Sequence, residues 1–188
     1  PSSGSRPLIL DDYEWSDDGS KLLVYTNTRR VWRTNSRGDY WVLDLENGRL
    51  LQVGGDADES TLMFAKFSPQ ADRVAYVRDH DVYVERLSDG SITKLTEGGS
   101  ETLINGTFDW AYEEEFGIQD GFRWSPDGQH IAYWQIDASG VKEFLLINNT
   151  DSLYPRITSI PYPKVGEVLS SARVGVVPAD GGETVWAR

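Results

Sequence analysis

The sequence lacks cysteine entirely and has only two histidines and one methionine. Without cysteine, neither a disulfide nor a thiolate metal site can form. Long apolar runs are also missing, and no stretch approaches the roughly 18 apolar residues that a membrane-spanning helix needs. Basic residues are scarce, because 18 Lys and Arg stand against 30 Asp and Glu, for a net charge of −12. This charge argues against nucleic acid as a partner and favours cationic partners, since no basic patch can neutralise phosphates.

A repeated pattern dominates the chain. An aromatic residue, a serine and a turn lead three times into a short apolar strand, with the serines at Ser16, Ser68 and Ser125. The interval between them is about 50 residues, and repeats of this length are typical of blades or solenoids. Asn-Gly and Asp-Gly pairs at 47–48 and 89–90 favour tight hairpins between the strands that follow. Four antiparallel strands in each repeat indicate β-propeller blades.

The predicted fold is therefore all-β: part of a β-propeller, with about three four-stranded blades and the start of a fourth. A β-sandwich with coincidental Ser-Pro turns is the alternative. Because each blade buries its faces against its neighbours, three blades and a fraction cannot close a ring, and we expect 1–188 to be a partial propeller. The predicted segments are blades at 11–60, 61–97 and 120–163, an insertion at 98–121, and the start of the next blade at 164–188.

The insertion is too apolar for a disordered loop, and it contains Asp-Trp-Ala-Tyr-Glu-Glu-Glu at 109–115. Adjacent glutamates of a strand could not bind the same cation, because neighbouring side chains point to opposite faces. On a helical turn, Glu114 and Glu115 could both bind one cation. We therefore predict a short helical segment, packed onto the propeller by Trp110 and Tyr112, that recognises a positively charged group. The alternative is an ordinary helix start, because the helix dipole favours glutamate in the first turn.

Together with Phe-Arg-Trp-Ser-Pro-Asp-Gly at 122–128, the 109–115 motif resembles the propeller of the dipeptidyl peptidase IV family of serine exopeptidases. The segment 154–166 and the run Val-Trp-Arg at 31–33 fit the same family, so the resemblance covers essentially the whole chain. It implies an N-terminal propeller that caps a C-terminal α/β-hydrolase domain, which is absent from this chain. It also implies an enzyme that removes N-terminal dipeptides of the X-Pro or X-Ala type.

The resemblance implies substrate-binding roles for Glu114, Glu115 and Arg33. The two glutamates would bind the free amino terminus of a peptide, and Arg33 would contact the peptide beside them, with Glu113 as a leading structural acid. A peptide amino terminus has a pKa of about 7.7–8.0 and is largely an ammonium at neutral pH. Two carboxylates can accept its hydrogen bonds, and an anchored terminus fixes which peptide bond reaches a nucleophile.

No serine lies in a Gly-x-Ser-x-Gly elbow, and we interpret the two histidines, His80 and His130, as structural or solvated. We therefore predict no catalytic residue, metal site or cofactor in this chain, which should be inactive alone. The resemblance places the triad in the hydrolase domain. A non-catalytic propeller for protein–protein interaction is the alternative function, and a carbohydrate-binding propeller is a third.

The expected partners are a peptide substrate with a free amino terminus and the hydrolase domain, and a homodimer remains open. The chain begins at Pro1 and shows no signal peptide, so we expect a processed or cut piece of a larger protein. We expect an exported, periplasmic or membrane-anchored extracellular location rather than a cytoplasmic one.

Overall fold

The computed structural model describes residues 2–3 and 6–188 of the chain. A short two-stranded sheet at the start pairs β1 (Ser2–Ser3) with β2 (Arg6–Pro7). The first four-stranded antiparallel sheet follows in chain order, with the strands β3 (Leu10–Trp15), β4 (Lys21–Arg29), β5 (Arg37–Asp44) and β6 (Leu50–Gln52). The second has the same order, with the strands β7 (Met63–Phe67), β8 (Arg73–Arg78), β9 (Asp81–Arg86) and β10 (Ile92–Lys94).

The third sheet begins within the predicted insertion. β11 (Leu103–Asn105) and β12 (Phe122–Trp124) flank the helix α1 (Trp110–Phe116), and both strands pair with β13 (His130–Asp137). A separate hairpin, β14 (Glu143–Asn148) and β15 (Arg156–Pro161), comes next. The chain then returns to the third sheet, which is completed by β16 (Ser171–Pro178) and β17 (Val185–Trp186).

This return corrects the strand assignment made from the sequence for 120–163 and 164–188. β14 and β15 form their own two-stranded sheet instead of finishing the third blade, and β16 pairs with β13 from Ser171 to Pro178 instead of opening a fourth. Packing accounts for the difference, because Val177 of β16 is fully buried in the core. Gly175 allows β17 to pack closely against β16, since a Cβ at this position would lie 2.9 Å from the Trp186 ring of β17.

The repeated serines stabilise the turns that connect β3 to β4, β7 to β8 and β12 to β13. In each turn the serine Oγ accepts a hydrogen bond from the backbone N–H five residues later, at 2.9 Å for Ser16, 3.1 Å for Ser68 and 2.9 Å for Ser125. The same hydroxyl donates to the carboxylate of a nearby aspartate in all three turns. The repeat in the sequence is therefore a repeated local hydrogen-bond pattern.

The core lies between consecutive sheets, and β8 contributes to it on both faces. Successive side chains of a strand alternate in direction, so Val74 and Tyr76 pack towards the first sheet, with Leu23 and Val42. Ala75 and Val77 pack towards the third sheet, with Phe122, Ile131 and Val177. This face-to-face packing of consecutive antiparallel sheets confirms the predicted all-β fold. The one helix of the described residues, α1, lies in the predicted insertion and is too short to cross a membrane.

Candidate functional site

The site begins with α1, whose two ends are both capped. Asp109 is the N-cap, and its Oδ1 accepts a hydrogen bond from the Tyr112 backbone N–H at 3.1 Å. At the other end Gly117 adopts a left-handed conformation with φ 66°, and its N–H donates to the Glu113 carbonyl at 3.2 Å. These local signals confirm the predicted helical segment and define a short, rigid mount for the acidic triplet.

Aromatic contacts hold α1 against the sheets, as predicted for Trp110 and Tyr112. The Trp110 ring lies 4.5 Å from the Tyr162 ring, measured between centroids, and Tyr112 lies 5.5 Å from Phe108. Phe108 in turn belongs to a small buried cluster with Ile104 and Ile136 of the third sheet. The helix is therefore supported both by the third sheet and by the segment that follows β15.

The three glutamates of α1 have different environments, because consecutive helical residues are rotated by about 100°. Glu113 is buried, and its Oε1 has no hydrogen-bond partner among the described residues. The side chain of Glu114 is 5% exposed and forms an ion pair with Arg33. Glu115 is exposed to solvent. Burial, followed by the charge of Glu114, raises the pKa of Glu113 above its ordinary value.

Arg33 reaches α1 from the segment between β4 and β5 of the first sheet. Its Nε pairs with Oε2 of Glu114, although the Arg33 side chain is 79% exposed. A second contact joins the same segment to the chain beyond the helix, since the Thr34 hydroxyl donates to the Gln119 side chain at 3.2 Å. The structure thus brings together Arg33 and Glu114, which were assigned to one site from the sequence, with Glu115 next to them on the helix.

The histidines occupy structural positions. His80 lies in the two-residue turn between β8 and β9, with positive φ, and its Nε2 is 3.6 Å from the Glu101 carboxylate. His130 is exposed at the start of β13, where its backbone N–H donates to the Ser125 hydroxyl. Among the contacts of the described residues, neither imidazole touches Arg33 or the glutamates of α1.

A buried polar chain, which was not predicted from the sequence, holds β11, the strand leading into α1. Asp81 Oδ1 accepts from the Asn105 side chain at 2.9 Å. Asn105 Oδ1 accepts from Gln135 at 2.7 Å, and Gln135 Oε1 accepts from Arg173 at 2.8 Å. The available signal was the polar residue at a strand position flanked by apolar neighbours, as at Asn105 after Leu103-Ile104 and at Gln135 in β13.

The fold and the site together define a propeller segment in which an arginine from the segment between β4 and β5 pairs with a glutamate on a capped helix. The family model described as the dipeptidyl peptidase IV (DPP IV) N-terminal region matches residues 16–188. The chain therefore belongs to the dipeptidyl peptidase IV family, which confirms the resemblance inferred from its motifs.

Two curated relatives and one solved structure illustrate the match. Dipeptidyl aminopeptidase B of Saccharomyces cerevisiae is 32% identical over 186 residues, which cover 96% of this chain and 22% of the relative. A probable dipeptidyl peptidase 4 of Trichophyton verrucosum is 34% identical over 160 residues, covering 82% of this chain and 21% of the relative. The crystal structure of Porphyromonas gingivalis dipeptidyl peptidase 4 superimposes with a TM-score of 0.89 at 28% identity, covering 99% of this chain and 26% of that one. This chain thus spans about a fifth of the length of the curated relatives.

Proposed function

We propose that this chain is the substrate-gating, N-terminus-anchoring propeller portion of a serine dipeptidyl peptidase that removes X-Pro or X-Ala dipeptides. The observation that carries the proposal is the ion pair between Arg33 and Glu114 beside the exposed Glu115. Family membership supports the reaction class, because the relatives are named as dipeptidyl peptidases. The nucleophile, base and acid would belong to a hydrolase domain that this propeller caps.

The chemistry of anchoring follows from the charges. A peptide ammonium has three N–H donors, and a hydrogen bond to a charged carboxylate is worth about 1.5–3 kcal/mol before desolvation is considered. Glu115 offers a solvent-accessible acceptor, while Glu114 is already oriented by Arg33. The site therefore selects peptides with a free, charged amino terminus.

Arg33 has a second role in this proposal. Its Nε is the atom that pairs with Glu114, and within the described part of the chain it has no other ion pair. The two terminal guanidinium nitrogens can then donate to a backbone carbonyl of the bound peptide. A peptide held both at its ammonium and at a carbonyl has a defined direction as well as a defined end. This positions one particular peptide bond at the nucleophile and accounts for dipeptide release.

The experiment is hydrolysis of Gly-Pro-arylamide and of its N-acetyl counterpart by the complete protein that contains this chain. We expect cleavage of the free amine only, because acetylation removes the charge that Glu114 and Glu115 bind. Equal cleavage of both substrates would contradict the anchoring role. Cleavage of neither, by a folded sample, would favour a non-catalytic propeller that serves protein–protein interaction.

A further inference from the structure

A cavity of about 260 Å³ lies behind α1, and its lining does not include Arg33, Glu114 or Glu115. Its walls come from the first residues of the helix, the 31–32 segment, β7 and β15. They are largely apolar and include four aromatic side chains, those of Trp32, Phe64, Phe108 and Trp110. The volume is slightly below the range of about 300–1,000 Å³ typical of drug-sized ligands, so a ligand here would be small.

Glu113 lines this cavity and provides an unsatisfied acceptor. The residue is only 9% exposed, and its Oε1 accepts no hydrogen bond from any described residue of the protein. Buried carboxylates are normally paired, because burial removes the hydration that stabilises their charge. A donor with positive charge, placed in the cavity, would supply the missing partner.

The other charged groups around the cavity favour a cation. Asp109 uses its Oδ1 to cap α1, and Arg37 is the one guanidinium in the lining. His80 Nε2 lies 3.6 Å from the Glu101 carboxylate, and the Glu101 side chain is 90% exposed whereas that of His80 is 19% exposed. Three carboxylates therefore line the cavity against a single permanent cation. Aromatic walls add attraction for an alkylammonium, since the faces of Trp and Phe rings attract cations.

From these observations we infer that the cavity behind α1 binds a small organic ammonium, with its apolar body among the aromatic side chains and its N–H groups donating to Glu113. This site is separate from the proposed anchor for the peptide amino terminus, because it involves Glu113, the first glutamate of the acidic triplet, and does not involve Arg33. It goes beyond the proposed function and does not depend on it.

The test uses 2-phenylethylammonium and its uncharged analogue 2-phenylethanol as probes. Binding to the complete protein is measured by isothermal titration calorimetry and by saturation-transfer NMR of the ligands. We expect the ammonium to bind at least tenfold more tightly than the alcohol. Glu113→Gln should remove this preference, whereas Glu113→Asp, which keeps the charge, should retain part of it.

The double variant Glu114→Gln/Glu115→Gln separates the two sites. We expect it to bind 2-phenylethylammonium like the unmodified protein, while the dipeptidyl peptidase activity proposed above is lost. Loss of ammonium binding in this double variant, with binding retained in Glu113→Gln, would show that the probe occupies the anchor and would overturn the cavity assignment. Equal affinity for the ammonium and the alcohol would overturn it as well. A cooperative thermal transition of Glu113→Gln, at or above the wild-type melting temperature, serves as the control for folding.

Discussion

Arg33 Nε and Glu114 Oε2 form an ion pair between the first sheet and the helical insertion, joining a mostly exposed guanidinium to a carboxylate with little solvent contact. Exposed ion pairs contribute little, typically about 0–1 kcal/mol. Glu114, however, has lost most of its hydration, so the free energy of this ion pair is larger than the exposure of Arg33 alone would indicate. The pair orients the carboxylate while leaving one side of the guanidinium accessible.

Replacing either anchor glutamate should impair peptide cleavage strongly. For Glu114→Ala or Glu115→Ala in the complete protein, we expect kcat/KM for Gly-Pro-arylamide to fall by roughly 100-fold, equivalent to about 3 kcal/mol for a lost charged contact. Glu59→Ala provides a matched control, because Glu59 is an exposed glutamate of the turn before β7. Wild-type kcat/KM in both anchor variants would contradict the assignment.

Removing the guanidinium should weaken the site by a different route. Arg33→Ala leaves the Glu114 carboxylate with little solvent contact and without its ion-pair partner, so we expect kcat/KM to fall about tenfold. Arg33→Lys should retain part of the activity, because lysine keeps the positive charge but lacks the planar guanidinium group. Arg29→Ala, at an exposed position of β4, is the control. Wild-type kcat/KM in Arg33→Ala would argue against this coupling.

Glu113 should make stability depend on pH. Burial raises its pKa above the ordinary value of 4.5, so between the two pKa values the native state binds more protons than the unfolded chain. The contribution of this carboxyl group to the free energy of unfolding is therefore fully present below about pH 4.5 and is lost as the pH rises through the native pKa. Melting temperatures of wild type and Glu113→Gln, measured from pH 4.5 to 8, should diverge in favour of the glutamine variant as the pH rises. A constant difference would contradict the raised pKa.

The polar chain through Asn105 should be important for stability. Asn105→Ala removes the hydrogen bond from Asn105 to Asp81 and the one from Gln135 to Asn105. Asp81 keeps Thr96 and Gln135 keeps Arg173, but an unpaired buried polar group costs about 1–3 kcal/mol. We expect a clear fall in the melting temperature of the first thermal transition. We also expect a higher KM, because Asn105 lies in the strand leading into α1. Asn149→Ala, in the exposed loop after β14, should change neither quantity. Equal melting temperatures for the two variants would show that the chain contributes little.

Much of the candidate site could be predicted from the sequence because its signals are local. Asp109 and Gly117 flank the helix with standard capping residues, and the acidic triplet lies between them. The burial of Glu113 could not be predicted, because it depends on the cavity formed by segments far apart in the chain. The strand order of the third sheet was also missed, since adjacent hairpins were paired where the structure pairs β13 with the distant β16.

Short-range hydrogen bonds define the elements that could be predicted from the sequence. These are the serine turns at Ser16, Ser68 and Ser125, the tight hairpins and the capped helix. These elements depend on residues within about five positions of one another, so the amino-acid order alone specifies their chemistry. Long-range packing, in contrast, selects the strand that completes the third sheet and sets how exposed each glutamate is. It also brings Arg33 to Glu114, because burial and ion pairing arise between sheets whose contacts the linear pattern does not specify.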